Sequence, residues 1–115
     1  RRIIRLLAKP DSAKADYSAF YEYKTSVRPW TQRMADESGQ ITFYATVMWL
    51  KTGIIPQEIE LINVPVEYED DGRLRPTGEL VRLPTARTMV DIIKMTGRMK
   101  KVWHGIKELC EKELY

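Results

Sequence analysis

Tyr21-Glu22-Tyr23-Lys24-Thr25-Ser26 is the stretch on which the reading of this chain turns. Tyr and Thr suit a pleated, half-buried surface, and Phe20 precedes them, so a strand is predicted over residues 17–25. Strand residues two apart point to the same side. Glu22 and Lys24 therefore project together, with Tyr21 and Tyr23 on the opposite face. A carboxylate is a hard oxygen ligand for Mg²⁺ or Mn²⁺. An ammonium two residues further on can orient an attacking water or neutralise charge on a phosphate. The same spacing also describes an exposed ion pair worth about 0–1 kcal/mol.

On the N-terminal side, residues 2–8 are Ile/Leu-rich and predict a strand. Lys9-Pro10-Asp11-Ser12-Ala13-Lys14 has turn chemistry, because Pro fixes φ and Asp and Ser bond the local backbone. A hairpin of these two strands is the expectation. The chain enters directly from Arg1 into Ile3-Ile4-Arg5-Leu6-Leu7, with no Met and no signal-peptide pattern, and is expected to be the C-terminal portion of a larger domain.

On the C-terminal side, residues 26–33 form a loop broken by Pro29, with Trp30 beside it. A helix is predicted to begin at residues 36–38, where Asp36 and Ser38 can cap free N–H groups. It runs to about Lys51, with Gly53 suited to its end and Pro56 blocking continuation. Residues 59–69 predict a strand with Ile62, Val64, Val66 and Tyr68 on one face. Asp71-Gly72 and Pro76-Thr77-Gly78 are turn signals, and residues 79–83 a short returning strand. Pro84-Thr85 is expected to open a last helix reaching about Leu114. Its apolar stripe is Ile92, Met95, Met99, Val102, Ile106 and Leu109, flanked by a row of Lys94, Arg98 and Lys101. The predicted order is β-β-α-β-β-α, an α/β mixed sheet flanked by helices in a single domain over residues 1–115.

Composition narrows the chemistry. The chain has 115 residues, 43% hydrophobic and 30% charged, which suits one soluble globular domain. One cysteine and one histidine exclude a disulfide framework, a Cys-rich zinc site and a His cluster. Any catalysis falls to carboxylates, lysines or tyrosines. No apolar run approaches the roughly 18–20 residues of a membrane span, so no membrane partner is expected. The formal net charge of +3 permits an anionic partner.

Gln40 and Tyr44 add a second signal. They lie four apart on the predicted helix and share a face, presenting an amide and a phenol that can bond phosphate, water or carboxylate. Each alone also fits a blander role, Gln40 in a solvated first turn and Tyr44 in the core.

In order, Glu22-x-Lys24-Thr25-Ser26, a loop holding Trp30, and Gln40-x-x-x-Tyr44 opening a helix resemble the PD-(D/E)xK nuclease superfamily, in particular its RecB-like and phage exonuclease branch. The specific likeness covers residues 21–50. It implies a restriction-endonuclease-like fold lacking an N-terminal part. It also implies a Mg²⁺- or Mn²⁺-dependent deoxyribonuclease of phage or bacterial recombination and repair. Such an enzyme would act on DNA in the cytoplasm, as a homo-oligomer or within a larger recombination complex. Residue by residue, it implies that Glu22 ligates the metal together with the Tyr23 carbonyl. Lys24 would stand near the attacking water, and Gln40 and Tyr44 would brace the metal site. Thr25 and Ser26 would contact phosphate, with Arg28, Arg33 and Trp30 in the adjacent loop as further DNA contacts.

The family uses one more metal-binding Asp on the preceding strand. Residues 2–8 contain no acidic residue, so the expected place for it is at or just before Arg1. Pro10-Asp11 spells the motif literally within the predicted turn, and Asp11 is the second candidate. A chain without that Asp would be a catalytically inactive nuclease-like DNA-binding or assembly module, which is the alternative function.

Overall fold

A computed structural model of the chain describes residues 9–113. The strand predicted over residues 2–8 lies outside them. The described elements run β1 (Ser12–Ala13), β2 (Ala19–Ser26), α1 (Gln32–Glu37), α2 (Gly39–Thr52), β3 (Glu58–Tyr68), β4 (Leu74–Pro76), β5 (Val81–Thr85) and α3 (Met89–Glu113). The α/β class with a mixed sheet is as expected. Among the described residues the order is β-β-α-α-β-β-β-α, which adds the strands β1 and β4 and the helix α1 to the predicted elements.

The sheet is organised around β3, which runs parallel to β2 and antiparallel to both β4 and β5. A parallel neighbour requires a crossover, and α1 and α2 supply it. β1 adds antiparallel to the free side of β2, pairing Ser12 with Tyr21 and Ala13 with Phe20. The turn of this hairpin is not the predicted one. The chain reverses at residues 15–18, where the Lys14 N–H donates to the Ala19 carbonyl and Tyr17 takes a positive φ of 60°. Asp16 fixes this reversal by accepting from both the backbone N–H and the hydroxyl of Ser18. Those bonds hold its carboxyl below the usual range. Residues 12–13, predicted as turn, are strand instead.

The helical crossover is two helices rather than one. Thr31 caps α1 by accepting from the Met34 N–H. Ser38 ends α1 and caps α2, where its hydroxyl accepts from the Ile41 N–H. At the other end Gly53, at φ 77°, donates its N–H to the Trp49 carbonyl, and Pro56 follows. Ile41, Ala45 and Met48 recur at helical spacing and bury against the sheet. There they meet Phe20, Ile59, Leu61, Leu83 and Ile92. Burying each large apolar side chain contributes about 1.5–3 kcal/mol. Phe20 and Tyr44 meet edge to face, with centroids 6.0 Å apart.

Three further expectations shift. The core side of β3 is Ile59 and Leu61, because those residues face the helices; Ile62 is buried too, whereas Tyr68 is exposed. Glu60 and Ile62 on the opposite face are buried as well, so both faces of β3 are covered near its start. The returning strand covers Val81–Thr85, so Pro84-Thr85 ends a strand instead of opening a helix. Thr88 and Asp91 open α3 with reciprocal bonds, the Thr88 N–H to the Asp91 carboxylate and the Asp91 N–H to the Thr88 hydroxyl. The apolar stripe of α3 divides: Ile92 and Met95 are buried, whereas Val102, Ile106 and Leu109 are exposed. No described helix is long and apolar enough to cross a membrane.

Candidate functional site

Alternation along β2 sends Phe20, Glu22 and Lys24 toward the helices. Phe20 joins the core, Glu22 is only 3% exposed, and Lys24 lies at the open end of the layer. The Lys24 ammonium donates to the Gln40 Oε1 at 2.6 Å, and the Gln40 amide donates in turn to the Tyr44 hydroxyl at 2.9 Å. The four residues singled out on two separate segments thus fall in one place. Lys24, Gln40 and Tyr44 form a continuous polar chain, and the Tyr44 ring seats that chain on Phe20.

Asp11 joins them. Continuing the β1–β2 register by one residue sets Asp11 opposite Glu22. The Asp11 N–H donates to Glu22 Oε1 at 2.9 Å, and the Tyr23 N–H donates to Asp11 Oδ2 at 2.8 Å. These two bonds tie each carboxylate to the backbone of the neighbouring strand. Asp11 therefore does not lie in the reversal where it was expected, because Asp16 occupies that role.

The surroundings of Glu22 are unfavourable to its charge. Burial pushes the Glu22 carboxyl above its ordinary range. The Asp11 N–H bond opposes that rise, the Asp11 charge adds to it, and the Lys24 charge works against it. No buried side-chain oxygen or nitrogen among the described residues lacks a hydrogen-bond partner. Among the described residues no group of three or more His, Cys, Asp or Glu side chains is poised for a metal ion. What remains is a pair of carboxylates, one buried and one exposed. That donor set suits a hard cation that keeps several of its own waters and takes one or two carboxylates.

The loop residues disperse. Ser26 is engaged within the protein: its hydroxyl donates to the Arg28 carbonyl and accepts from the Asn63 amide. Thr25 and Arg28 are exposed. Arg33 lies on α1 and pairs with Glu37 at 3.1 Å, both largely exposed. Trp30 packs half-buried on the core, and its backbone N–H donates to Asn63 Oδ1.

Two residues that the motif reading passed over support the site. Asn63 is fully buried on β3 opposite Lys24. Its amide donates to the Lys24 carbonyl and the Ser26 hydroxyl, and its oxygen holds the Trp30 N–H. The sequence signal is a lone amide within the otherwise apolar run Leu61 to Val66. Arg87, 6% exposed, donates to the Thr42 and Thr85 hydroxyls and to the Ala35, Ser38 and Ala86 carbonyls. It fixes the first turn of α2, on which Gln40 sits. Burial draws its guanidinium below the usual range, against the pull of Asp91 and Asp36.

Comparison with family models, with curated proteins and with solved structures finds no match to this chain.

Proposed function

We propose that the chain is a metal-dependent deoxyribonuclease domain that hydrolyses phosphodiester bonds, with Asp11 and Glu22 as metal ligands and Lys24 beside the attacking water. The observation that carries this reading is the pairing of Asp11 with Glu22, with Lys24 two residues along the same face. The pairing of Asp11 with Glu22 favours this reading over a catalytically inactive nuclease-like DNA-binding or assembly module, which has no second carboxylate for a metal. When bound, Mg²⁺ or Mn²⁺ would neutralise phosphate charge and make its water a stronger nucleophile.

The protein's own contribution is positional and electrostatic. Burial and the nearby Asp11 disfavour the ionised form of Glu22, a cost that a bound divalent cation would relieve. Lys24 donates hydrogen bonds from a fixed ammonium, because Gln40 holds it and Tyr44 holds Gln40. Such a donor stabilises the charge that develops on a phosphate oxygen and orients a water for in-line attack. Arg28, exposed in the adjacent loop, can meet the DNA backbone. The setting that fits this chemistry is recombination or repair of bacterial or phage DNA.

The test is cleavage of linear duplex and single-stranded DNA by the chain, or by the longer protein that contains it, with Mg²⁺ or Mn²⁺. Lys24→Ala and Asp11→Asn should each lower the rate at least about a hundredfold, the range of removing a positioned charge-stabilising group. Cleavage that persists unchanged in both variants refutes the assignment.

A further inference from the structure

Among the described residues positive charge is gathered in one place. Residues 9–91 hold ten Lys and Arg against thirteen Asp and Glu, a formal charge of −3. Residues 92–107, within α3, hold Lys94, Arg98, Lys100, Lys101 and Lys107 and no acidic residue, a formal charge of +5. The two groups of cations also differ in what holds them. Lys14, Arg33, Arg73, Arg75 and Arg82 pair with carboxylates. Arg87 is buried among carbonyls and hydroxyls, and Lys24 is held by Gln40. The five cations of α3 are all exposed, and none forms an ion pair among the described residues. Asp91, the nearest acid before them in the chain, is engaged by the Thr88 N–H and hydroxyl, and Glu108 ends the run.

We infer that the basic run of α3, from Lys94 to Lys107, is the docking surface for a DNA phosphate backbone and brings the substrate to the candidate site. The inference rests on the nuclease reading and names the surface that reading leaves open. A body of charge −3, with a candidate site built on two carboxylates, repels a polyanion, so among the described residues the long-range attraction falls to α3. Its cations are also the least costly to recruit, because an ion-paired cation gives up its carboxylate when it meets a phosphate and these have none to give up. Placement supports the same role. Arg87, just before α3, donates to the Ser38 carbonyl at the start of α2, two residues from Gln40. α3 therefore leaves from the end of α2 that carries the site, and Lys94 lies in its second turn. From Lys94 to Lys107 the helix rises about 20 Å. Duplex DNA carries one phosphate charge per roughly 1.7 Å of axis, so the run is level with several phosphates, and each contact releases condensed counterions.

The experiment is fluorescence anisotropy of a short labelled duplex titrated with the chain in EDTA, across about 50–200 mM salt. Lys94→Gln, Arg98→Gln and Lys101→Gln together should weaken binding at least about thirtyfold at the lower salt. They should also reduce the slope of log affinity against log salt by about 3. Lys14→Gln, Arg73→Gln and Arg75→Gln make the same change in net charge elsewhere and should weaken binding by less than about threefold. All six side chains are exposed, so circular dichroism of both triple variants should remain that of the wild type. With Mg²⁺ present, the α3 variant should show its loss as a raised KM for cleavage. A wild type that does not bind at the lower salt overturns the inference, as does equal weakening by the two triple variants. So does a chain that leaves the duplex for vesicles of phosphatidylserine and phosphatidylcholine. Binding that follows the α3 cations without any cleavage overturns the nuclease reading and upholds this surface. Cleavage with an unchanged KM in the α3 variant does the reverse.

Discussion

Replacing Arg87 by Met should destabilise the protein by about 3 kcal/mol, and the figure follows from its partners. The buried guanidinium makes hydrogen bonds at 2.7 Å to Thr42, 2.7 Å to Thr85, 2.9 Å to the Ala86 and Ala35 carbonyls, and 3.1 Å to the Ser38 carbonyl. Five charge-assisted bonds at roughly 1.5 kcal/mol each come to about 7.5 kcal/mol. Taking the guanidinium out of water costs several kcal/mol. The carbonyls of Ala35 and Ser38 each keep one backbone donor after the substitution, from Ser38 and Thr42 respectively, which limits the loss. Met matches the length and apolar volume of the Arg stem, so no large cavity adds to the difference. The assay is urea unfolding followed by circular dichroism and tryptophan fluorescence. The midpoint should fall at constant slope, and the melting temperature should drop by about 10–15 °C. Thr42→Val tests the route. It removes one partner of Arg87, so the double variant should lose about 1 kcal/mol less than the sum of the single losses. A loss below about 1 kcal/mol for Arg87→Met, or strict additivity with Thr42→Val, refutes the view that Arg87 clamps the start of α2.

Other expectations follow from the same geometry. Glu22 has a carboxyl raised by burial, so its stabilising form is the protonated one. That contribution is fully present below the unfolded carboxylate pKa and is lost as pH rises through the raised folded value. Glu22→Gln should therefore leave the metal-free protein more stable at neutral pH and flatten its melting temperature across that acidic window; parallel pH profiles for wild type and variant would sink the idea. Asn63→Leu leaves the Trp30 N–H without its acceptor and removes two donors, and should cost about 2–4 kcal/mol with an altered Trp30 fluorescence. An unshifted emission spectrum with full stability would contradict that role. Glu58→Ala breaks an exposed contact to Lys14 at 3.9 Å and should change stability by less than about 0.5 kcal/mol in the same unfolding assay.

The parts of this structure that were legible in the sequence are those governed by local period and capping. Glu22 and Lys24 share a face because a strand repeats every two residues. Gln40 and Tyr44 share one because α2 has Ser38 before it and Gly53 after it. What was hidden depended on choices between similar local signals. Lys9 to Lys14 and Lys14 to Ser18 both have turn chemistry. The second takes the reversal through a left-handed Tyr17, a conformation that its residue type does not advertise. That choice moved Asp11 from an expected turn into register with Glu22. α1 was hidden because Pro29 suggested a loop while Thr31, two residues later, caps a helix. Pro84 suggested a helix start, yet it sits in β5, which among the described residues pairs only with β3, and an edge strand tolerates a residue without an N–H. Asn63 and Arg87 have no local signature at all. Their roles exist only once β2, β3, α1 and α2 have come together.

The brevity of β1 has a consequence for how the carboxylate pair responds to its surroundings. Asp11 is tied down by a two-residue strand and two reciprocal hydrogen bonds, whereas Glu22 belongs to an eight-residue strand in the middle of the sheet. The two halves of the pair thus belong to segments of very different opening free energy. Repulsion between the carboxylates loads the weaker of the two, and any ligand that neutralises them loads it less. Occupancy of the pair is therefore written into the exchange rates of two amides, those of Asp11 and Tyr23. They should slow together when a cation is added, while the amides on β3 keep the pace set by global unfolding.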